Sequence, residues 1–497
     1  MSDATVRQAL RSGGTLVVIE APAGCGKTHQ GAEYVGDLAA ASTDRVLILT
    51  HTHAACSVFA KRTQGLGSHV EIRTIDSLIA QIATVYHVGI GVPSDPMIWV
   101  RQTKDGYAAL AIKVASLLQR YPMIARAVAA RYPTIVCDEH QDSSRAQHAI
   151  VASLVTGGAR LRAFADPMQR IFKDADAAFW DELVSSSDVV ESLDYPHRWD
   201  KGCPRLGAWT LKAREDLKAG RKVDLRTAPS SVVVVQAENI AETRLGYRVA
   251  TSDRSAIDTF AGRQSSLLVL TRHNETALSL RSFFGRRILL WEGYTRSALE
   301  SFVQRFDKAK TPETVAKSIL KFMDDVAVGF SPSGFGNRFE SEVGSRCAKM
   351  ARGKPALIQE LAKLVIAEPN HRGASKMLKR LHELSQSNEH FDKVQFDAHR
   401  EFWDAIKLGD FDNPSEGLVD LAHRRSYARP QPTDRAISTI HKAKGLECES
   451  VLVMPCDNKT FPDELDARCL LYVALSRAKS ELMVVVSTNN PSPLLTL

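Results

Sequence analysis

Short, nearly continuous apolar runs alternate with helical stretches in the first third of the chain. Residues 15–19, 46–50, 134–137 and 161–165 are predicted strands. Strands that are apolar without alternation are typical of a parallel sheet whose two faces are both covered by helices. The pattern therefore predicts one doubly wound α/β lobe.

A second lobe of the same kind is predicted by apolar runs at 231–236, 267–271, 451–454 and 482–486. The middle of this set is interrupted by a long segment without strand patterning. Short strands separated by helical stretches again indicate a parallel sheet. The two lobes share this architecture but no obvious sequence repeat.

The interrupting segment, 296–428, is predicted to be a helical block. Apolar residues recur at helical spacing over 313–328, 355–367 and 393–408. The Gly- and Ser-rich segment 329–336 is predicted to be a loop. A helical block inserted into an α/β lobe is the simplest description of this arrangement.

These patterns predict three domains. The first lobe occupies 1–215 and carries a small helical insertion at about 86–130. The second lobe is made of 216–295 and 429–497, and the helical accessory subdomain at 296–428 is inserted into it. A chain of 497 residues is long enough for about three domains.

Composition restricts the possibilities only moderately. The net charge of +7 arises from 64 basic and 57 acidic residues, which permits a local basic groove for nucleic acid but is equally compatible with an ordinary slightly basic enzyme. The eight cysteines include no C-x-x-C pair, so they favour a reducing compartment over a zinc site or a disulfide framework. Apolar run 16–19 is too short for a signal peptide, and no run approaches the about 18 residues of a membrane span. We expect a soluble, cytoplasmic protein.

The loop Ala21-Pro-Ala-Gly-Cys-Gly-Lys-Thr28 carries the strongest local signal. It follows a predicted strand and precedes a helical stretch, as a phosphate-binding loop requires. Its glycines allow backbone N–H groups to approach phosphate oxygens, and the helix N-terminus adds partial positive charge. Lys27 would neutralise the phosphates of ATP and Thr28 would bind Mg²⁺. The alternative is a chance glycine turn. The predicted nucleotide contacts are Ala23, Gly24, Cys25, Gly26, Lys27 and Thr28.

Cys25 stands between two glycines of this loop, near a helix N-terminus. Such a position tends to favour the thiolate. We therefore expect Cys25 to react with maleimide in the absence of nucleotide.

An acidic pair, Asp138 and Glu139, follows the strand 134–137 directly. The carboxyl end of a strand is where α/β sheets bind ligands. Asp138 would hold Mg²⁺ and Glu139 would orient or deprotonate the attacking water. The alternative is a capped helix start with acidic residues in its first turn.

The segment 138–142, with Gln147 after it, resembles the D-E-x-Q-D signature of UvrD-like superfamily 1 DNA helicases. The loop 21–28 is similar to theirs as well, because that family commonly begins the loop with alanine. The resemblance implies an α/β fold of two RecA-like P-loop NTPase lobes with parallel sheets and small, mostly helical accessory insertions. It implies ATP and Mg²⁺ as cofactors, and it places Gln8 at the adenine base.

The resemblance extends through the family's motifs III to VI in their usual order. It implies that Gln169 senses the γ-phosphate, that Arg198 reaches the nucleotide, that Glu447 contacts the ribose and that Arg477 is the arginine finger. Arg477 would act from the lobe opposite Lys27, so that hydrolysis needs both lobes. The same resemblance implies DNA contacts at Thr50, His51, Thr52, Thr74, Asp76 and His441.

Three departures from the family pattern bear on DNA binding. The stretch 173–177 lacks the aromatic residue that commonly stacks on a DNA base. His51 stands where phenylalanine is common, and Asp76 stands where histidine is common. Base stacking at 173–177 is therefore not expected.

The segments between the motifs are short, and the chain ends soon after its last predicted strand, so we expect no fused nuclease. A compact chain of this kind resembles the UvrD-like subunit of Gabija-type anti-phage systems, which work with a separate ATPase–TOPRIM nuclease. We predict a DNA-dependent ATPase that translocates on, or senses, single-stranded DNA or DNA ends beside such a nuclease partner. The alternative is a stand-alone 3′–5′ DNA helicase in repair or recombination.

Overall fold

A computed structural model describes residues 2–103, 105–172, 178–243, 246–285, 287–291, 297–309, 311–328, 332–396, 399–427 and 434–497. The chain forms two compact units, Met1–Ile288 with Asp434–Leu497, and Leu289–Thr433. The predicted accessory block, 296–428, lies within the second unit.

The first lobe of the first unit contains a sheet with helices on both faces. Its elements are α1 (Ser2–Leu10), β1 (Leu16–Glu20), α2 (Lys27–Ala41), β2 (Val46–Thr50), α3 (His53–Arg62), β3 (Val70–Thr74), α4 (Ile75–Val85), α5 (His87–Ile90), α6 (Pro96–Gln102), α7 (Gly106–Arg120), α8 (Pro122–Arg131), β4 (Thr134–Cys137), α9 (Arg145–Thr156), β5 (Arg160–Ala165), α10 (Ala178–Ser185), β6 (Val189–Ser192) and α11 (Pro204–Lys218).

The strands of this lobe are parallel and lie in the order β3-β2-β4-β5-β1-β6. Neighbouring residues of β1 belong to different cores. Leu16 and Val18 pack in one apolar cluster, and Val17 and Ile19 pack in another. A sheet covered on both faces explains why the strand is apolar from Leu16 to Ile19, as the sequence predicts.

The second lobe begins after α11. Its first elements are β7 (Val223–Asp224), β8 (Val232–Ala237), β9 (Asn239–Thr243), β10 (Gly246–Val249), α12 (Thr251–Arg263), β11 (Leu267–Thr271) and α13 (Asn274–Phe283). The predicted boundary between the lobes, residue 215, lies inside α11, and the division at that residue stays a prediction.

The second unit is mainly helical. It comprises β12 (Leu289–Leu290), α14 (Ser297–Lys308), α15 (Pro312–Val326), β13 (Ala327–Val328), α16 (Asn337–Gly344), α17 (Lys354–Ala367), α18 (His371–Ser387), β14 (Gln395–Phe396), α19 (His399–Lys407) and α20 (Pro414–Tyr427). Its core is apolar and rich in aromatic rings, with Phe302 and Phe322 stacked at 4.3 Å between centroids.

Two helices of this unit are shorter than the sequence predicts, and both differences have the same cause. The strands β13 and β14 pair antiparallel, with Ala327 opposite Phe396 and Val328 opposite Gln395. The helix predicted at 313–328 therefore ends at Val326, and the helix predicted from 393 begins only at His399. Of the predicted loop 329–336, Pro332–Gly336 form a π-helical turn and 329–331 lie outside the described residues.

The chain then returns to the second lobe with β15 (Arg435–Thr439), β16 (Cys448–Cys456), α21 (Leu465–Leu475), β17 (Ala478–Ser487) and β18 (Leu495–Thr496). Five strands of this unit lie in the order β15-β11-β16-β17-β8, and each neighbouring pair is parallel. The predicted fold class, two lobes with parallel sheets and a RecA-like arrangement, is confirmed.

The strands β3, β6 and β15 of the main sheets were not predicted from the sequence. The first two lie at the edges of their sheet, and polar residues interrupt all three. An edge strand tolerates polar side chains, so the apolar signal of β3 and β6 is weak. β15 is buried, but Arg435, Ser438 and Thr439 leave it only two apolar positions. In the described part of the chain, no helix has both the length and the apolar character needed to cross a membrane.

Candidate functional site

The loop between β1 and α2 has the backbone of a phosphate-binding loop. Gly24 and Gly26 have φ angles of 77° and 83°, a region that side-chain-bearing residues rarely adopt. A Cβ atom at Gly24 would lie 2.6 Å from Trp199 Cζ3, and one at Gly26 would lie 3.0 Å from His197 Cδ2. Both positions therefore require glycine, and the loop leads straight into the N-terminus of α2 at Lys27. This is a backbone that fits an anion such as a nucleotide phosphate.

The predicted reactivity of Cys25 is wrong. Its side chain is buried in the core cluster that includes Val17 and Ile19. Burial raises the pKa of the Cys25 thiol to about 12, and the negative charge of Asp166 adds to the effect. The sequence showed the neighbouring glycines and the helix N-terminus, but not that the side chain between them points into the core. Cys25 therefore contributes to the loop through its backbone and its packing.

Lys27 is held by both residues of the acidic pair. Its ammonium group forms an ion pair with the Glu139 carboxylate and lies 3.6 Å from Asp138 Oδ1. Burial alone would lower the pKa of Lys27, but the two carboxylates raise it. Phosphate groups that enter this loop must therefore compete with Glu139 for the Lys27 ammonium.

The two carboxylates have different electrostatic environments. Burial raises the pKa of Asp138 to about 6, against the attraction of Lys27. Burial opposes ionisation of Glu139 as well, but Lys27 and Lys444 hold the pKa of Glu139 well below its ordinary value. Glu139 therefore stays ionised while Lys27 holds it.

The oxygen atoms of Asp138 and Thr28 suit a magnesium ion bound together with a nucleotide. Asp138 lies at the carboxyl end of β4, where its N–H group donates to the Leu49 carbonyl at 2.9 Å. Thr28 lies in the first turn of α2, immediately after Lys27. Carboxylate and hydroxyl oxygens are the ligands that Mg²⁺ prefers. Asp138 and Thr28 would hold the ion, and Lys27 would hold the phosphates beside it.

The predicted γ-phosphate sensor, Gln169, lies in a buried network behind the acidic pair. Gln169 Nε2 donates to Asp166 Oδ2 at 2.8 Å, and Arg214 Nη2 donates to Asp166 Oδ1 at 2.7 Å. Gln141 connects this network to the site, because its Nε2 donates to Glu139 Oε2 at 2.5 Å and its Oε1 accepts from the Asp166 N–H at 3.1 Å. Sequence reasoning missed Arg214, which lies on α11 outside any motif and is recognisable only from its burial against Asp166.

Arg198 connects the phosphate-binding loop to the second lobe. Its backbone N–H donates to the Gly24 carbonyl at 3.1 Å. Its guanidinium donates to the Ser476 carbonyl at 2.6 Å and to Glu447 Oε1 at 2.5 Å. Two of the predicted nucleotide contacts, Arg198 and Glu447, are therefore brought together.

Arg477 follows α21, is buried beside this cluster and is folded back on the end of that helix. Its Nε donates to the Val473 carbonyl at 3.0 Å, and its Nη2 donates to Ser476 Oγ at 2.7 Å. Burial lowers the pKa of Arg477 to about 10, and the nearby charge of Arg198 adds to the effect. The guanidinium must leave these contacts in order to reach a phosphate.

Two aromatic residues that sequence reasoning did not assign also join the lobes. The Tyr472 hydroxyl accepts the Ala23 N–H at 2.9 Å, in the phosphate-binding loop itself. Trp199 is fully buried and donates from its indole N–H to the Ala478 carbonyl at 2.7 Å. Both residues could have been found from the sequence motifs. Tyr472 begins the segment identified with motif VI, and Trp199 directly follows Arg198.

The residues predicted to contact DNA lie near the carboxyl ends of strands. Thr50 ends β2 and Thr74 ends β3, where the two are register partners. The hydroxyls of Thr52 and Thr74 cap the helices α3 and α4, and the Thr50 hydroxyl donates to the Thr52 carbonyl at 3.0 Å. These three threonines therefore have local structural roles, whatever else they contact.

The other residues predicted to contact DNA or the adenine base lie in different environments. Asp76 Oδ1 accepts from Gln147 Nε2 at 2.8 Å, and His51 Nε2 lies 3.1 Å from Ser143 Oγ. His441 is half-buried just after β15, and burial lowers its pKa. Gln8 is exposed on α1. The stretch predicted to lack a stacking aromatic, 173–177, lies outside the described residues, but Phe172 immediately before it is 41% exposed.

Comparisons with known proteins agree with these features. The UvrD/REP helicase N-terminal domain matches residues 96–182, and the UvrD-like helicase C-terminal domain matches residues 339–489. The first match includes the acidic pair and Gln169, the second includes Glu447 and Arg477, and the loop 21–28 lies outside both. No curated protein matches the sequence. The solved structures similar to this chain include a Pif1 helicase from Candida albicans, with 12% identity over 97% of this chain and 93% of that chain and a TM-score of 0.40. Matches to both the N-terminal and the C-terminal domain of one helicase type support an ATP-hydrolysing helicase enzyme similar to UvrD/Rep-like superfamily 1 helicases.

Proposed function

We propose that the chain is a DNA-dependent ATPase that couples ATP hydrolysis to movement along, or sensing of, single-stranded DNA or DNA ends. One observation carries the proposal: residues of both lobes converge on a single phosphate-binding loop. Asp138 and Glu139 of the first lobe hold Lys27 of the loop, and the Tyr472 hydroxyl of the second lobe accepts the Ala23 N–H of the same loop. A site shared by two lobes can link hydrolysis to a change in their contacts.

The chain's own residues have distinct tasks in this proposal. ATP supplies the phosphoryl group and Mg²⁺ neutralises its charge. Lys27 exchanges the Glu139 carboxylate for phosphate oxygens, which frees Glu139 to orient and deprotonate water. Arg477 leaves the Ser476 hydroxyl to stabilise the charge that develops on the phosphoryl group.

DNA is expected along the edge where β2 and β3 end. The proposed contacts there are Thr50, His51, Thr52, Thr74 and Asp76, and His441 follows β15 of the second lobe. This edge also carries Asp138, since Asp138 is bonded to the Leu49 carbonyl of β2. A nucleic acid bound at this edge would therefore lie beside the strand end that leads into the catalytic carboxylates.

ATP turnover with and without single-stranded DNA tests this function. We expect strong stimulation by DNA, and we expect Arg477→Ala to reduce the stimulated rate by roughly 10³-fold with little change in ATP affinity. Arg263→Ala, which removes an exposed ion pair with Glu481 in the second lobe, is the matched control and should keep the wild-type rate. Equal rates with and without DNA would contradict the proposal.

The proposal also includes a cellular role and a partner protein for the enzyme. We propose that the enzyme acts in the cytoplasm as a subunit of an anti-phage complex, beside a nuclease of the ATPase–TOPRIM type. The short helical insertion at α5–α8 supports this through its resemblance to compact members of the family, and all eight cysteines are free thiols, as a reducing compartment allows. Strand displacement should be weak for the isolated chain. Robust unwinding without a partner would instead favour the stand-alone 3′–5′ helicase.

A further inference from the structure

A row of four hydrogen-bonded side chains runs through the first lobe, from the end of β2 to α9. His51 Nε2 and Ser143 Oγ lie 3.1 Å apart, and Ser143 Oγ and His140 Nδ1 lie 3.3 Å apart. His140 Nε2 then lies 3.1 Å from His148 Nδ1. Ser143 and His140 are fully buried, so bulk water does not compete for the middle of the row.

The row connects the segment proposed to contact DNA with the backbone next to the catalytic Glu139. His51 follows Thr50 directly and lies in the segment proposed to contact DNA. His140 follows Glu139 directly and begins the 3₁₀ turn His140–Asp142. Glu139 has a φ angle of 56°, which is rare for a residue with a side chain, so its placement depends on what holds the adjoining backbone.

The hydrogen-bonding groups of these four side chains allow the orientation of one ring to influence that of the next. A neutral imidazole has one donor and one acceptor nitrogen, and a hydroxyl can donate and accept at once. The Ser143 hydroxyl lies within hydrogen-bond distance of both rings, so it can donate to one ring nitrogen and accept from the other. Apolar rings at these positions would pack, but they would not fix each other's orientation through Ser143.

We propose that Ser143 is a positioning residue, which couples DNA binding at His51 to the placement of Glu139 through His140. The inference rests on the proposed function, because it takes from it that the segment containing His51 contacts DNA. Within this network Ser143 contacts the proposed DNA edge through His51 and the site of hydrolysis through His140. Its role is to hold two rings in one arrangement.

Ser143→Ala tests the coupling by removing a single buried oxygen atom. We expect the basal ATPase rate and the KM for ATP to stay unchanged, while the stimulation factor for single-stranded DNA falls about tenfold, within the usual range for coupled sites. Ser153→Ala is the matched control, because the Ser153 hydroxyl donates only to the Ala149 carbonyl within α9. This control should keep the wild-type stimulation factor.

Equilibrium binding gives an independent readout. Coupling between two binding sites is reciprocal, so a non-hydrolysable ATP analogue should change the affinity of the wild-type protein for single-stranded DNA. In Ser143→Ala that change should shrink by a similar factor, while DNA affinity without nucleotide stays within about twofold. A loss of basal rate in step with the stimulated rate would show a merely structural role and overturn the proposal.

Two substitutions of His140 keep the test decisive if Ser143→Ala folds poorly. His140→Asn places an amide near the Nδ1 position and can keep the contact with Ser143, whereas His140→Gln places one near Nε2 and can keep only the contact with His148. We expect a larger DNA stimulation factor in His140→Asn than in His140→Gln. Equal factors in these two variants, or full stimulation in Ser143→Ala, would overturn the inference. A wild-type protein that DNA does not stimulate would instead overturn the proposed function.

Discussion

Lys444 of the second lobe forms a buried ion pair with Asp142 of the first lobe. Lys444 Nζ lies 2.6 Å from each Asp142 carboxylate oxygen and 2.5 Å from the Gln169 carbonyl oxygen. The Lys444 and Asp142 side chains are 10% and 4% exposed. Asp142 closes the segment that begins with Asp138 and Glu139, so this pair joins the second lobe to the catalytic carboxylates.

Removing one partner of this pair should be costly. We expect Lys444→Met to lower the free energy of unfolding by about 3 kcal/mol, because it leaves Asp142 buried without its counter-charge. Burial already raises the pKa of Asp142 to about 6 against the attraction of Lys444, so the orphaned carboxyl should take up a proton at neutral pH. Chemical denaturation measures the loss.

A double-mutant cycle separates the pair from other effects of the substitutions. The double variant Lys444→Met with Asp142→Asn should recover much of the stability, since neither charge then remains buried. Stability losses that simply add in the double variant would show that the two side chains do not interact energetically.

The pairing of Lys27 with Glu139 leads to a prediction about nucleotide affinity. Glu139→Gln removes the carboxylate that competes with phosphate for Lys27, so this variant should bind ATP more tightly than the wild type while its DNA-stimulated hydrolysis is abolished. Lys27→Ala should lose both binding and hydrolysis. Titration with a fluorescent ATP analogue distinguishes the two, and equal losses of affinity would contradict the assigned roles.

Cys25 should be unreactive. A fully buried thiol whose pKa is raised to about 12 offers almost no thiolate at neutral pH. We expect maleimide to label partly exposed cysteines such as Cys203 first, with Cys25 unmodified in the folded enzyme, as peptide mass spectrometry can show. Rapid labelling of Cys25 that ATP prevents would contradict its burial.

Folding stability should fall as the solution is made acidic, partly because of His51. Burial lowers the pKa of His51 to about 4, and the charge of Lys444 adds to the effect, whereas the unfolded residue titrates near its ordinary value of 6.5. The folded state therefore excludes a proton that the unfolded state binds. The contribution of His51 to the free energy of unfolding is complete above about pH 6.5. It falls by roughly 2–3 kcal/mol as the pH is lowered toward 4.

The comparison that isolates His51 is with His51→Phe, which keeps an aromatic ring but cannot take up a proton. Stability of this variant, measured by chemical denaturation at several pH values, should fall less steeply between pH 6.5 and pH 4. Part of the slope should remain, because the pKa values of His140 and His148 are lowered as well. Identical slopes for the variant and the wild type would exclude His51 as a contributor.

Local pattern and short motifs were sufficient to predict much of this protein. The central strands of both sheets are apolar at successive positions because both faces of each sheet are covered, and that signal is contained in the sequence. The phosphate-binding loop and the acidic pair were also readable, because Gly24, Gly26, Lys27 and Asp138 stand at fixed places relative to predicted strands.

Only the tertiary structure decided how distant segments meet. The burial of Cys25, the antiparallel pairing that shortens α15 and delays the start of α19, and the partners of Arg214 and Lys444 all depend on residues far away in the chain. A side chain's charge state and contacts depend on what surrounds it in space, and local spacing does not specify that. The sequence by itself thus determined the two-lobe fold and the main nucleotide-site residues, whereas tertiary packing decided the state in which those residues are held.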